Sequence, residues 1–258
     1  MLTERSTPAW LWPNLLSLDA PAVAVVWQVL FAKVFKAPLD PFVVALLAVT
    51  VWLIYTLDRT LDALKGEAST ARHCFYREHW ARILPLWLAL FAMAGWLALT
   101  RLSPANLARG AVLFAAVCVY LMLVHNVLPG AAYRRLKEAA VGAIFAMGTS
   151  LAVWDKIRTP HDVGAVVLFC GLCWMNCLAI ERWEHQMEWS AAIPVGGIAA
   201  MAFLLAGGRP ILAGAMVMSA MALATLNFGR RRLSENALRV LADAALLTPL
   251  LFLRVAMR

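Results

Sequence analysis

The chain is built from long, unbroken apolar blocks separated by short clusters of charge, Pro and Gly. Each block approaches the roughly 17–25 residues that cross a hydrocarbon core as a helix. Neither the two-residue alternation of a half-buried strand nor the ~10-residue alternating stretches of a membrane barrel is visible. Residues of hydrophobic type make up 63% of the sequence and charged ones 15%, against roughly 45–50% and about 25% in a soluble domain. A water-soluble fold cannot bury that excess, so the sequence predicts an all-α, polytopic membrane protein forming a single integral domain over residues 1–258.

Breaks in hydropathy predict nine transmembrane helices: Leu15 to Phe35, Pro41 to Leu57, Ile83 to Leu99, Leu107 to Leu128, Ala139 to Trp154, Val163 to Ile180, Trp189 to Ala206, Pro210 to Phe228 and Ala237 to Leu253. The ninth carries Arg239 and Asp243, four residues apart and expected to pair. The first block is read as a retained helix rather than a removable leader, because no small-residue cleavage site follows it. With nine spans, 14 of the 23 Lys and Arg fall on the side of the N-terminus. The positive-inside bias therefore puts that side in the cytoplasm, as in a multi-pass protein of a bacterial inner membrane. The net charge of +8 is spread over short loops, which fits attraction to anionic membrane lipid and not a nucleic-acid surface.

The acids gather on the same side. Asp58 and Asp62 close the second span on one helix face, since four residues make about one turn. Glu181, Glu184 and Glu188 close the sixth. Both sets share a spacing, Ile54, Asp58, Asp62 and Ile180, Glu184, Glu188, which hints at internal duplication, with half-motifs at 54–62 and 176–188. Two readings are open. The acids are solvated helix ends balanced by Arg59 and Arg182, or they hold magnesium, which takes oxygen ligands from one or two carboxylates together with substrate phosphates. Cations that could meet such phosphates lie near: Lys137 with Arg134 and Arg135, and Arg72 in the loop before the third span. Membrane-surface anchoring explains these equally well.

In layout, this resembles the UbiA superfamily of intramembrane prenyltransferases: nine helices, an acidic motif after span two, a Tyr-x-x-x-Lys before span five (Tyr133, Lys137) and a second acidic motif after span six. Asp58, Arg59 and Asp62 match the second half of the family's first motif, while Ile54 and Tyr55 stand where it usually has Asn and Asp. Glu138 replaces a frequent Arg, and Asn176, Glu181, Glu184 and Glu188 replace a normally Asp-rich second motif. The resemblance implies transfer of an isoprenyl chain from its diphosphate to a lipophilic acceptor, aromatic or quinone-type. Asp58, Asp62, Glu181, Glu184 and Glu188 would hold Mg2+; Lys137, Arg72, Tyr133, Arg134 and Asn176 would bind substrate. Tyr55, one turn deeper than Asp58, would face an allylic cation with its ring. A terpene cyclase and a non-catalytic carrier or assembly factor of the same fold remain alternatives.

Other polar features are read as packing. Cys170, Cys173 and Cys177 form a stripe on span six without the further ligands that zinc needs. His125 and Asn126 at the end of span four either line a cavity or bond between helices. Gly142 and Gly148 suggest close helix packing in span five.

Overall fold

The computed structural model describes residues 8–64, 71–126, 131–184, 208–254 and 256. These form an all-helical bundle, without a strand among the described residues. Its α-helices are α1 (Trp12–Leu15), α2 (Asp19–Val34), α3 (Pro41–Leu64), α4 (Ala71–Arg101), α5 (Pro104–Asn126), α6 (Ala131–Ser150), α7 (Pro160–Glu184), α8 (Pro210–Gly229), α9 (Glu235–Ala245) and α10 (Pro249–Phe252).

Five of these, α3, α4, α5, α7 and α8, contain stretches long and apolar enough to cross a membrane. A sixth arises if the helical stretch Ala9–Leu15 and α2, bent by 77° at their junction, count as one broken span. Several helices therefore support a multi-pass integral membrane protein, while the nine expected spans appear only in part. Segment 189–206, expected as the seventh, lies outside the described residues. The expected fifth is α6, whose first turns carry Arg134, Arg135, Lys137 and Glu138 and dilute its apolar length. The expected ninth is divided into α9 and α10 around Leu246, Leu247 and Thr248. Pro249 opens α10; having no N–H and a fixed φ, it starts a helix more readily than it continues one.

Helix α2 is the axis of the core, with Trp27, Leu30 and Phe31 at 0% exposure. The Trp27 ring lies 4.5 Å from that of Phe169 on α7, and its Nε1 donates to the Leu246 carbonyl at 2.8 Å. That bond satisfies a carbonyl left over where α9 ends. Helices α6 and α7 approach closely at Gly142, where an added Cβ would lie 2.8 Å from the Trp174 backbone nitrogen. Gly148, expected to do the same, has nothing within 4 Å of such a Cβ.

Both ends of α2 are set by tight caps. Asp19 opens it after a reversal at Ser17, which adopts φ 56°. There Leu18 N–H donates to Pro13 O at 2.8 Å and Ser17 N–H to Asn14 O at 3.1 Å, the double bond pattern that closes a helix on a left-handed residue. Glycine is the usual choice there. The serine hydroxyl has a separate use, given below.

Candidate functional site

Helix α7 runs from Pro160 to Glu184, so its ends lie about 36 Å apart at 1.5 Å per residue. The acids singled out in the sequence sit at its C-terminal end, with the last turns of α3 and α5 and the first turns of α6 and α9.

Asp58 and Asp62 do share one face of α3. Lys137 Nζ of α6 lies 3.1 Å from Asp62 Oδ2 and 3.9 Å from Asp58 Oδ2. His125 of α5 places Nε2 at 3.1 Å from Asp58 Oδ1 and Nδ1 at 3.7 Å from Asp62 Oδ1, and Tyr120 Oη reaches Asp58 Oδ1 at 3.5 Å. One ligand atom from each of Asp58, Asp62 and His125 falls within 4.8 Å of the others. His125 thus bonds between helices, one of its two expected roles, and it does so at the acid pair.

These carboxylates are not solvated ends balanced by Arg59. The Asp58 and Asp62 side chains are 20% and 10% exposed, and their cation is Lys137. Arg59 turns to a different side, because adjacent helical residues point about 100° apart. It is 6% exposed and donates through Nη1 to Asn14 O and to Ser17 Oγ, with Nη2 3.8 Å from Asp19 Oδ1. Ser17 Oγ also lies 2.8 Å from Tyr76 Oη. The left-handed serine therefore joins α1, α3 and α4 through one hydroxyl, which glycine would not supply.

The second motif divides. Glu184 accepts from Arg239 Nε at 2.6 Å, while Glu181 lies in hydrogen-bonding contact with Glu138 of α6. Burial, with the Glu181 charge beside it, raises the Glu138 carboxyl to about 7. The expected pairing of Arg239 with Asp243 is not formed: Asp243 Oδ1 instead accepts from Asn176 Nδ2 at 3.3 Å and adjoins Asp19. An exposed pair four residues apart is worth only about 0.2–0.5 kcal/mol, and the partners on α7, Glu184 and Asn176, outweigh it.

Arg72, in the first turn of α4, lies among Arg59, Arg239, Glu184 and Asp243. Burial, and then the Arg59 and Arg239 charges, lower its guanidinium to about 10, so it stays charged at neutral pH. Its Nε is buried without a partner. The Arg59 guanidinium lies 5.7 Å above the Tyr55 ring. Tyr133 and Arg134 belong to the first turn of α6, but their side chains, like the whole of Glu188, lie outside the described residues. No disulfide joins any of the five cysteines.

Asp19 and Asp243 were not singled out from the sequence as site residues. An ionisable residue at the start or in the middle of an apolar block is the signal that points to them. The arrangement offers paired carboxylates with an imidazole and an ammonium, and beside them a guanidinium with an unused donor. That set suits a divalent cation or a phosphorylated group. No family model, no curated protein and no solved structure matches this chain significantly.

Proposed function

We propose that this chain is a UbiA-type membrane prenyltransferase, with nine spans and its acidic end in the cytoplasm of a bacterial inner membrane. It would transfer an isoprenyl group from its diphosphate to a lipophilic acceptor of aromatic or quinone type. One observation carries the reading: Lys137 of the basic motif lies 3.1 Å from Asp62 of the acidic motif, although the two are 75 residues apart in sequence.

The donor set is compatible with magnesium through the two carboxylates of Asp58 and Asp62, with His125 as their hydrogen-bonding neighbour rather than a ligand. When bound, the ion would neutralise charge on the departing diphosphate. Lys137 and the unused Nε of Arg72 would take phosphate oxygens, with Tyr133 and Arg134 on the same turn of α6 as Lys137. Of the second motif, Glu181, Glu184 and Glu188 are further candidate ligands, and Glu184 would have to exchange Arg239 for the ion. Tyr55 would offer its ring to the cationic fragment, and Asn176 would bind substrate.

A non-catalytic carrier or assembly factor is favoured by a different observation. Lys137 already bridges both carboxylates and Arg239 holds Glu184, so each motif has an internal counter-charge. The deciding experiment is diphosphate release from a panel of isoprenyl diphosphates by the solubilised protein, with and without magnesium. The transferase reading expects magnesium-dependent release, lost when Asp58 and Glu184 are both replaced by Ala. Absence of release, with no binding of magnesium or diphosphate, would establish the carrier instead. Cyclic hydrocarbon formed without acceptor would identify a cyclase.

A further inference from the structure

Between α2, α3, α6, α7 and α9 lies a cavity of about 30 Å3, separate from the Asp58 cluster. A water-sized group needs roughly 10–15 Å3 measured this way, so the space admits a hydroxyl and the carbon that carries it. Its walls are apolar at Val141, Phe145 and Leu246 and polar at Tyr55, Asn176 and Asp243.

Asn176 makes this more than a packing defect. It is 6% exposed, and its Nδ2 donates to Asp243 Oδ1 at 3.3 Å. With Nδ2 turned to Asp243, the amide oxygen is the atom left over. Asn176 Oδ1 is that atom: it is buried and has no hydrogen-bond partner. A buried orphan acceptor is costly and calls for a donor. The separation of α6 and α7 around the cavity is held by Gly142, which leaves no room for a Cβ against the Trp174 backbone.

We infer that this cavity binds the hydroxyl end of a lipophilic alcohol, which donates to Asn176 Oδ1 beside Asp243, with its first carbon against Val141, Phe145 and Leu246 and the rest of its chain outside the cavity. A head group without a donor leaves Oδ1 unsatisfied and is rejected. The site shares Tyr55 and Asn176 with the transferase reading and deepens it, but the binding itself needs neither the Asp58 cluster nor diphosphate chemistry.

The test is calorimetric titration of the full chain in lipid nanodiscs with 1-octanol and with 1-fluorooctane, empty nanodiscs being subtracted. The two probes match in size and differ in the donor. Saturable binding of octanol is expected, weaker by about tenfold or more for the fluoride. Asn176→Leu should reduce octanol to the level of the fluoride, and Val141→Phe, which fills the apolar part without touching a polar atom, should abolish saturable binding of both. No saturable binding, equal binding of the two probes, or an unchanged octanol affinity in Asn176→Leu would each overturn the assignment and leave ordered water as the occupant. The octanol-to-fluoride ratio of the unaltered protein decides the matter if either variant fails to fold. Octanol binding without diphosphate release would remove the transferase reading and keep this one; the reverse result would do the opposite.

Discussion

The two ends of α7 each hold buried acids, yet they use them differently. At the N-terminal end, Asp162 accepts from the backbone N–H of Arg158 at 3.1 Å and of Thr159 at 3.0 Å, and Thr159 Oγ1 accepts from Asp162 N–H at 3.2 Å. This reciprocal cap, with Pro160 as the first helical residue, satisfies donors that every helix start leaves over. Arg209 completes it from the segment before α8. Nearby, the exposed Asp155 is held below its usual carboxylate range by the hydrogen bond from Arg109. At the C-terminal end the acids meet side chains from α3, α5, α6 and α9 instead of their own backbone, and Arg72 Nε, Glu138 Oε2 and Asn176 Oδ1 are left unsatisfied. An acid committed to backbone donors is structural, whereas acids surrounded by unspent donors and acceptors are available to a ligand.

The sharpest way to break this contrast is to exchange the consequences. On the transferase reading, Asp58→Asn should lower magnesium-dependent diphosphate release by about 100-fold or more while shifting the melting temperature little. Asp162→Asn should destabilise the protein by roughly 1–3 kcal/mol through the weakened cap and Arg209 pairing and leave release per folded molecule unchanged. Loss of release in Asp162→Asn without loss of stability would erase the distinction. Next in size, Arg59→Met removes the cation shared by Asn14, Ser17 and Asp19 and should cost about 3 kcal/mol or more, as for other buried pairs broken on one side; denaturant titration in mixed micelles measures it. Gly142→Ala, forced against Trp174, should cost roughly 1–3 kcal/mol as an overpacked core does, and a melting temperature equal to the parent's would show that α6 and α7 can part.

The smallest expected effect concerns pH. The folded Glu138 carboxyl titrates at about 7, above the ordinary 4.5, so the folded state holds a proton that the unfolded chain releases. Stability linked to this group is therefore full below about pH 4.5 and is lost as pH rises towards 7 and beyond. Glu138→Gln should stabilise the protein at pH 8 and change little at pH 4.5, as read from melting temperatures at both values.

Much of the acid-rich end was legible in the sequence, because a helix fixes local spacing. The four-residue spacing of Asp58 and Asp62 is enough to put them on one face, and Lys137 stood out in the sequence as a basic residue on their side of the membrane. What the sequence withheld depends on helices far apart in the chain. Arg59 reaches residues 42 and 45 positions away, and Asp243 meets Asn176 at a separation of 67. No local rule sets such partners, and the local expectation of an Arg239 and Asp243 pair gave way to them. The break between α9 and α10 was missed because Pro249 lies in a run that hydropathy treats as continuous, whereas the backbone responds to its missing N–H.

Trp27 and Leu246, joined by one hydrogen bond, are 219 residues apart. At a synthesis rate of about 5–20 residues per second, roughly 10–45 seconds pass between the emergence of these two partners. Helix α2 is enclosed only after α9 arrives, so for that interval its buried Gln28 and half-buried Asp19 face lipid, water or an insertion factor rather than protein. The helix at the centre of the finished bundle is thus among the first to be made and the last to be covered, and biogenesis of this protein is most exposed to failure at its own axis.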